Sequence, residues 1–250
     1  MSAVPDQPAT LFAAGYHGVL KSVDGGKTWI AQKEQAEMAA TGRITSLVAL
    51  SATTLLIATD QGIFRDAGAA WQPVTPRGLS SVRSLQRSGK NIVAALAGEK
   101  AFASADGGLD WKECPRPSPN AVWMGLAFDG ASGSGLSNAA LAATSEGLFR
   151  SNDGCSTWAP VTQGLQTETV SVVLFHPTRA GEAFASQGGR VFLSSDAGLH
   201  WLPLNDEGRG ASWPSALLVL PAAPERLFAL FPRRGIFSNT VEGPMPAPAH

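Results

Sequence analysis

Ser22-Val-Asp-Gly-Gly-Lys-Thr-Trp29 decides the fold of this chain, because the phrase returns at regular intervals. Ser104-Ala-Asp-Gly-Gly-Leu-Asp-Trp111, Ser151-Asn-Asp-Gly-Cys-Ser-Thr-Trp158 and Ser194-Ser-Asp-Ala-Gly-Leu-His-Trp201 repeat it, and Phe64-Arg-Asp-Ala-Gly-Ala-Ala-Trp71 is a copy two residues shorter than the corresponding stretch Phe149–Trp158. The five tryptophans are spaced 42, 40, 47 and 43 residues apart. A repeat of this length is one supersecondary unit that buries its apolar face only against its neighbours.

Working outward from the tryptophans, each repeat contains four strand-length runs. In the second copy these are Ile44–Leu50, Thr54–Thr59, Gly62–Asp66 and Trp71–Val74. They are apolar or alternating, bounded by turn residues, and joined by gaps too short for a crossover helix, so the strands are antiparallel. The second and third runs recur six times, the last as Leu227–Phe231 and Gly235–Asn239. The spacing therefore predicts an all-β protein: a single β-propeller of six blades over residues 1–240, each with four antiparallel strands, the first and last incomplete. Aligning Val4–Phe12 with Leu220–Phe228 leaves only a stub for the first strand of blade 1. The sixth copy has no tryptophan strand and runs into a Pro/Ala-rich tail, 241–250. A flexible insert, Asp129–Ser137, accounts for the longest spacing.

Within the repeated phrase, Ser and Asp oxygens suit turn amides, glycine supplies positive φ, and tryptophan starts the outer strand. Calcium is a poor reading, since each copy offers one carboxylate without the spacing of a ligand loop. The phrase resembles the Asp-box, or BNR, repeat, and the resemblance covers nearly the whole chain. Ser22, Asp24, Gly26, Thr28 and Trp29 fit it fully. Asp110 and His200 replace its threonine, and Cys155 its later glycine. The repeat occurs in sialidases, other glycoside hydrolases, sortilin-type receptors and photosystem II stability/assembly factor-like proteins. The overall pattern is most similar to the last of these, which are non-enzymatic.

Composition narrows the possibilities. The net charge of −1 provides no basic footprint, so nucleic acid is not an expected partner. Charged residues make up 16%, with 27 glycines and 17 prolines, which suits short strands and tight turns. No apolar run is long enough for a transmembrane segment. The N-terminus as written carries no export signal, which places the protein in the cytoplasm if Met1 is the native start, and in the periplasm or outside the cell if a signal was trimmed. Cys114 and Cys155 are the two cysteines, and their spacing does not call for a bridge.

The resemblance implies that the turns carrying the phrase lie on the face opposite the usual active site. Function is therefore expected in the loops between second and third strands and between blades. The binding residues expected there are Tyr16, His17, Glu99, Lys100, Glu146, Arg190, Arg233 and Arg234. A sialidase needs three arginines on a carboxylate and a tyrosine–glutamate pair, yet Tyr16 is the one tyrosine and the Phe-Arg-Ile-Pro element is missing. A two-carboxylate glycosidase must draw on Asp60, Glu99 and Glu146 in three different blades. The four histidines are scattered, so no metal or other cofactor is expected. The sequence reads as a binding scaffold for a protein partner, and the resemblance implies assembly or stability of a larger, membrane complex. Carbohydrate is the alternative ligand, as in a glycan-active or glycan-binding propeller, with Trp213 its exposed aromatic and Trp123 assigned to the core.

Overall fold

Glycine and Ser-x-Asp punctuation cut the sequence into short antiparallel meanders. The computed structural model describes every residue except 6, 16, 17, 35–41, 69, 77, 78, 80, 90, 91, 132–138, 205–213, 221–225, 232–234 and 241–250. Among the described residues there are strands and turns but no α-helix, hence no helix able to cross a membrane.

Six sheets follow in sequence order. The first contains β1 (Ser2–Val4), β2 (Gln7–Gly15), β3 (Gly18–Ser22) and β4 (Ile30–Glu34); the second β5 (Ile44–Ala49), β6 (Leu55–Thr59), β7 (Gly62–Asp66) and β8 (Gln72–Pro73). The third contains β9 (Val82–Ser88), β10 (Ile92–Ala97), β11 (Lys100–Ser104) and β12 (Lys112–Cys114). The fourth contains β13 (Trp123–Phe128), β14 (Ala140–Thr144), β15 (Gly147–Ser151) and β16 (Ala159–Pro160); the fifth β17 (Val170–Phe175), β18 (Ala183–Gln187), β19 (Arg190–Ser194) and β20 (Leu202–Pro203). The sixth has, among the described residues, β21 (Ala216–Leu220), β22 (Arg226–Phe231) and β23 (Gly235–Thr240). The stub β1 and the three-stranded sixth sheet match the incomplete end repeats. The tail 241–250, Trp213 and most of the insert lie outside the described residues.

The protein forms two compact units, Met1–Glu113 and Cys114–His250. Each has its own core between facing sheets. In the first unit Phe12, Val19, Leu55 and Ile57 pack together, as do Leu56, Ile63, Val82 and Val93. In the second, Leu141, Leu148, Val173 and Trp201 form one cluster, and Phe184, Val191, Val219 and Leu227 another. The second strands β6, β10, β14 and β18 are buried along their whole length. Their alanines let neighbouring sheets approach on both faces, so these strands read as continuous apolar runs.

The repeated phrase forms one hydrogen-bonded turn. Gly26 N–H donates to Ser22 Oγ at 2.9 Å, and the Lys27 and Thr28 amides donate to Asp24 Oδ1 at 3.0 and 2.9 Å. Thr28 Oγ1 donates to Asp24 Oδ2 at 2.6 Å, and Trp29 Nε1 to Gly26 O at 3.0 Å. Asp106, Asp153 and Asp196 repeat the pattern. The short second copy puts Asp66 where the others have serine, and among the described groups Trp71 Nε1 is buried without an acceptor.

These bonds favour the ionised carboxylate. The Thr28 hydroxyl, then the Thr28 amide and the Ser22 hydroxyl, hold Asp24 down to about 2, and Asp153 is depressed in the same way by Thr157 and Ser151. A folded value below the unfolded one contributes stability that is complete above pH ~4 and is lost as pH falls through the folded value. Melting temperature is therefore expected to drop between pH ~4 and ~2. Asp24→Asn, already lacking the carboxylate, shows a shallower drop by circular dichroism.

The sequence leaves the pairing of the two cysteines open. Cys114 and Cys155 form a disulfide, with Cα atoms 5.3 Å apart. Spacing in the sequence could not show it. Cys114 ends β12, while Cys155 takes the left-handed position (φ 64°) that glycine holds at Gly26, Gly108 and Gly198. That turn conformation brings the two sulfurs together.

Candidate functional site

The ends of the sheets away from the Ser-x-Asp turns carry the two-residue turns between second and third strands. Buried threonines brace two of them. Thr59 Oγ1 accepts from the Gln61 and Gly62 amides, both at 3.1 Å, and donates to Gly62 O. Thr144 Oγ1 accepts from Glu146 N at 3.1 Å and donates to Gly147 O at 2.8 Å. The following glycines adopt positive φ, 142° at Gly62 and 117° at Gly147, which opens the turn for a side chain at Gln61 or Glu146.

The expected binding residues fall at this end where they are described. In the first unit, Glu99 and Lys100 occupy the β10–β11 turn, and Lys100 Nζ pairs with Glu113 at 3.1 Å, both half exposed. In the second, Glu146 sits on the β14–β15 turn and accepts from the Ser118 hydroxyl; Arg190 opens β19 and is exposed. Tyr16, His17, Arg233 and Arg234 lie outside the described residues.

Several carboxylates and amides here serve as braces. Asp60 Oδ1 accepts from Arg43 N at 3.0 Å, fixing the connection into β5. Gln187 accepts from Gln166 N at 2.9 Å and donates to the Gln166 and Glu168 carbonyls at 2.8 and 3.0 Å, fixing the connection into β17. Asp60 and Glu146 thus help to hold loops in place.

A set of residues at this end is absent from the expectations. Each of four first strands shifts register by one residue near its start: between Ile44 and Ser46, Val82 and Ser84, Trp123 and Gly125, and Val170 and Val172. Such bulges re-aim a single side chain. They present Thr45, Arg83, Met124 and Ser171. Thr45 and Ser171 donate to the Val82 and Pro214 carbonyls, and Thr45, Arg83 and Met124 are exposed. Met124 (39% exposed) and Val122 (53%) make an apolar spot in the second unit. Val122 is paired with Ser145, beside Glu146. Trp123 between them is buried, as expected. Stacking the first strands reveals Thr45, Arg83, Met124 and Ser171 in one column, which is the sequence signal for them.

Comparison with solved structures places this geometry. YCF48 from Cyanidioschyzon merolae matches 91% of this chain and 76% of its own, at 18% identity and a TM-score of 0.65. The GH74 enzyme of Niastella koreensis matches 95% of this chain and 44% of its own, at 14% identity and 0.68. This protein has the β-propeller fold. PorZ, a surface component of the type-IX secretion system of Porphyromonas gingivalis, matches 96% of this chain and 32% of its own, at 13% identity and 0.62. These identities speak for fold alone. No protein-family model matches the sequence, and no curated protein matches it.

Proposed function

We propose that this protein is a non-enzymatic Asp-box propeller that recognises a protein partner through its loop end, as an assembly or stability factor of a larger complex. The observation that carries the reading is the bulged, exposed Met124 with Val122, beside Glu146. An apolar spot edged by charge has the composition of a docking surface, with a dry centre and a polar rim. Of the three carboxylates considered for glycoside chemistry, Asp60 and Glu146 accept hydrogen bonds that brace loops. The likeness of the overall repeat pattern to photosystem II stability/assembly factor-like proteins supports the same reading, as does the fold shared with PorZ, a surface component of a secretion system. The buried Cys114–Cys155 bond favours an oxidising compartment, outside the cytosol.

Affinity capture from the native cell, with wild type and Met124→Asp in parallel, tests this. Wild type retains a reproducible protein partner and Met124→Asp retains at least about tenfold less, since a charge is placed in a desolvated contact. Neither protein turns over sialoside or aryl-glycoside substrates. Hydrolysis abolished by Glu146→Gln overturns the reading.

A further inference from the structure

At the opposite, turn-bearing end, the basic residue just before the serine position links one sheet to the next turn. Arg65 Nε donates to Gly107 O at 3.3 Å, and Arg150 Nε to Ala197 O at 2.7 Å. Gly107 and Ala197 are equivalent, each following the aspartate of its turn. The next residues, Gly108 and Gly198, lie so close to Leu56 and Leu141 that an added Cβ would stand 2.9 and 2.5 Å from leucine methyls. These two complete turns thus cap the preceding sheet, with a carbonyl for the cation and a residue without Cβ on the leucine.

Lys21 and Phe12 are the same pair in the first sheet, by strand register. The turn that should cap them is the short copy, Asp66–Trp71, and it leaves a cavity of about 250 Å³. Phe12 and Leu55 floor it, and Lys21, Gln32, Thr53 and Asp66 supply polar walls. Lys21 Nζ lies 5.4 Å from the Phe12 ring centroid and donates to Ala52 O at 3.2 Å. An ammonium has three donors, so it can also serve a ligand. Asp66 is buried in the serine position, and its Oδ1 accepts from Gly68 N at 2.9 Å.

We propose that this cavity is a binding site for a small peptide-like ligand. The ligand's carbonyl or carboxylate oxygen accepts from Lys21 Nζ, where a turn carbonyl accepts from Arg65 and Arg150. Its N–H or ammonium group faces Asp66. One cation and one carboxylate in a small cavity favour a ligand that carries both an acceptor and a donor. The same chemistry is offered by a free amino acid, the C-terminus of a polypeptide or an internal polypeptide turn. The site lies in the first unit, at the turn-bearing end of its own sheets, and stands independently of the protein-docking reading.

Titration of ¹⁵N-labelled protein with glycine, N-acetylglycine and N-acetylglycinamide, followed by NMR, tests the site and separates these three sources. At least one probe is expected to shift amides at Phe12, Lys21, Thr53 and Gly68, saturating in the millimolar range that so few heavy atoms allow. The tightest of the three identifies the source. Lys21→Met, with its native spectrum retained, weakens that probe about tenfold or more. Replacing residues 66–71 with the sequence of residues 22–29 fills the cavity and abolishes the shifts. No localised shift with any probe up to about 100 mM, a concentration at which even the weakest specific contact registers, overturns the proposal. Unchanged binding in Lys21→Met overturns it equally.

Discussion

Replacing Cys114 and Cys155 together with serine lowers the unfolding free energy by about 4 kcal/mol. The bond closes a loop across a sequence separation of 41, and the loop entropy released to the unfolded state sets that size. Both cysteines are buried, and the protein contains no other cysteine. Serine also leaves a non-glycine residue at the left-handed position 155. The pair Cys114→Ser with Cys155→Gly restores the residue type of the other turns and recovers about 1 kcal/mol. Urea unfolding of the three proteins under oxidising conditions reads both differences. Addition of reductant lowers the wild-type midpoint towards that of the variants and leaves the variants unmoved.

Trp201→Ala destabilises by about 3–5 kcal/mol, the range for truncating a fully buried aromatic. Trp201 is only 2% exposed and packs with Val161, Leu165, Val170 and Val173. Its indole N–H donates to Gly198 O at 3.1 Å and its backbone N–H to Gln163 O at 3.1 Å. The fit is close on the backbone side too: a Cβ on Gly164, at φ 84°, would lie 1.9 Å from Trp201 O. Trp29 occupies the same place in the first turn but is only half-buried, so Trp29→Ala costs about half as much in the same urea series. Equal losses at the two positions would show that the tryptophans act through the turn bond alone, with burial contributing nothing.

The repeat was legible because its signals are local. Ser22, Asp24 and Gly26 bond within a few residues of one another, so a phrase in the sequence is a phrase in space. The short first strand, Ser2–Val4, follows from the same alignment. What sequence could not carry was long-range register. The Cys114–Cys155 bond joins the end of an outer strand to a turn one repeat later, and the Ser118–Glu146 contact spans 28 residues. Of the expected site, Glu99, Lys100, Glu146 and Arg190 stand on the loop end because turn residues between paired strands have nowhere else to go. Met124 was passed over because a one-residue bulge leaves hydrophobic alternation almost intact on either side. The pocket at Lys21 was hidden for the opposite reason: it arises from two residues that are missing from the second turn.

Site-specific photo-crosslinking in the native cell tests the docking claim most directly. A photoreactive residue is placed at Met124 on the loop end or at Leu199 on the turn end, both exposed in the same unit. Crosslinking to one reproducible protein from position 124, and none from position 199, is the predicted result. Crosslinks from position 199 with none from position 124 contradict it.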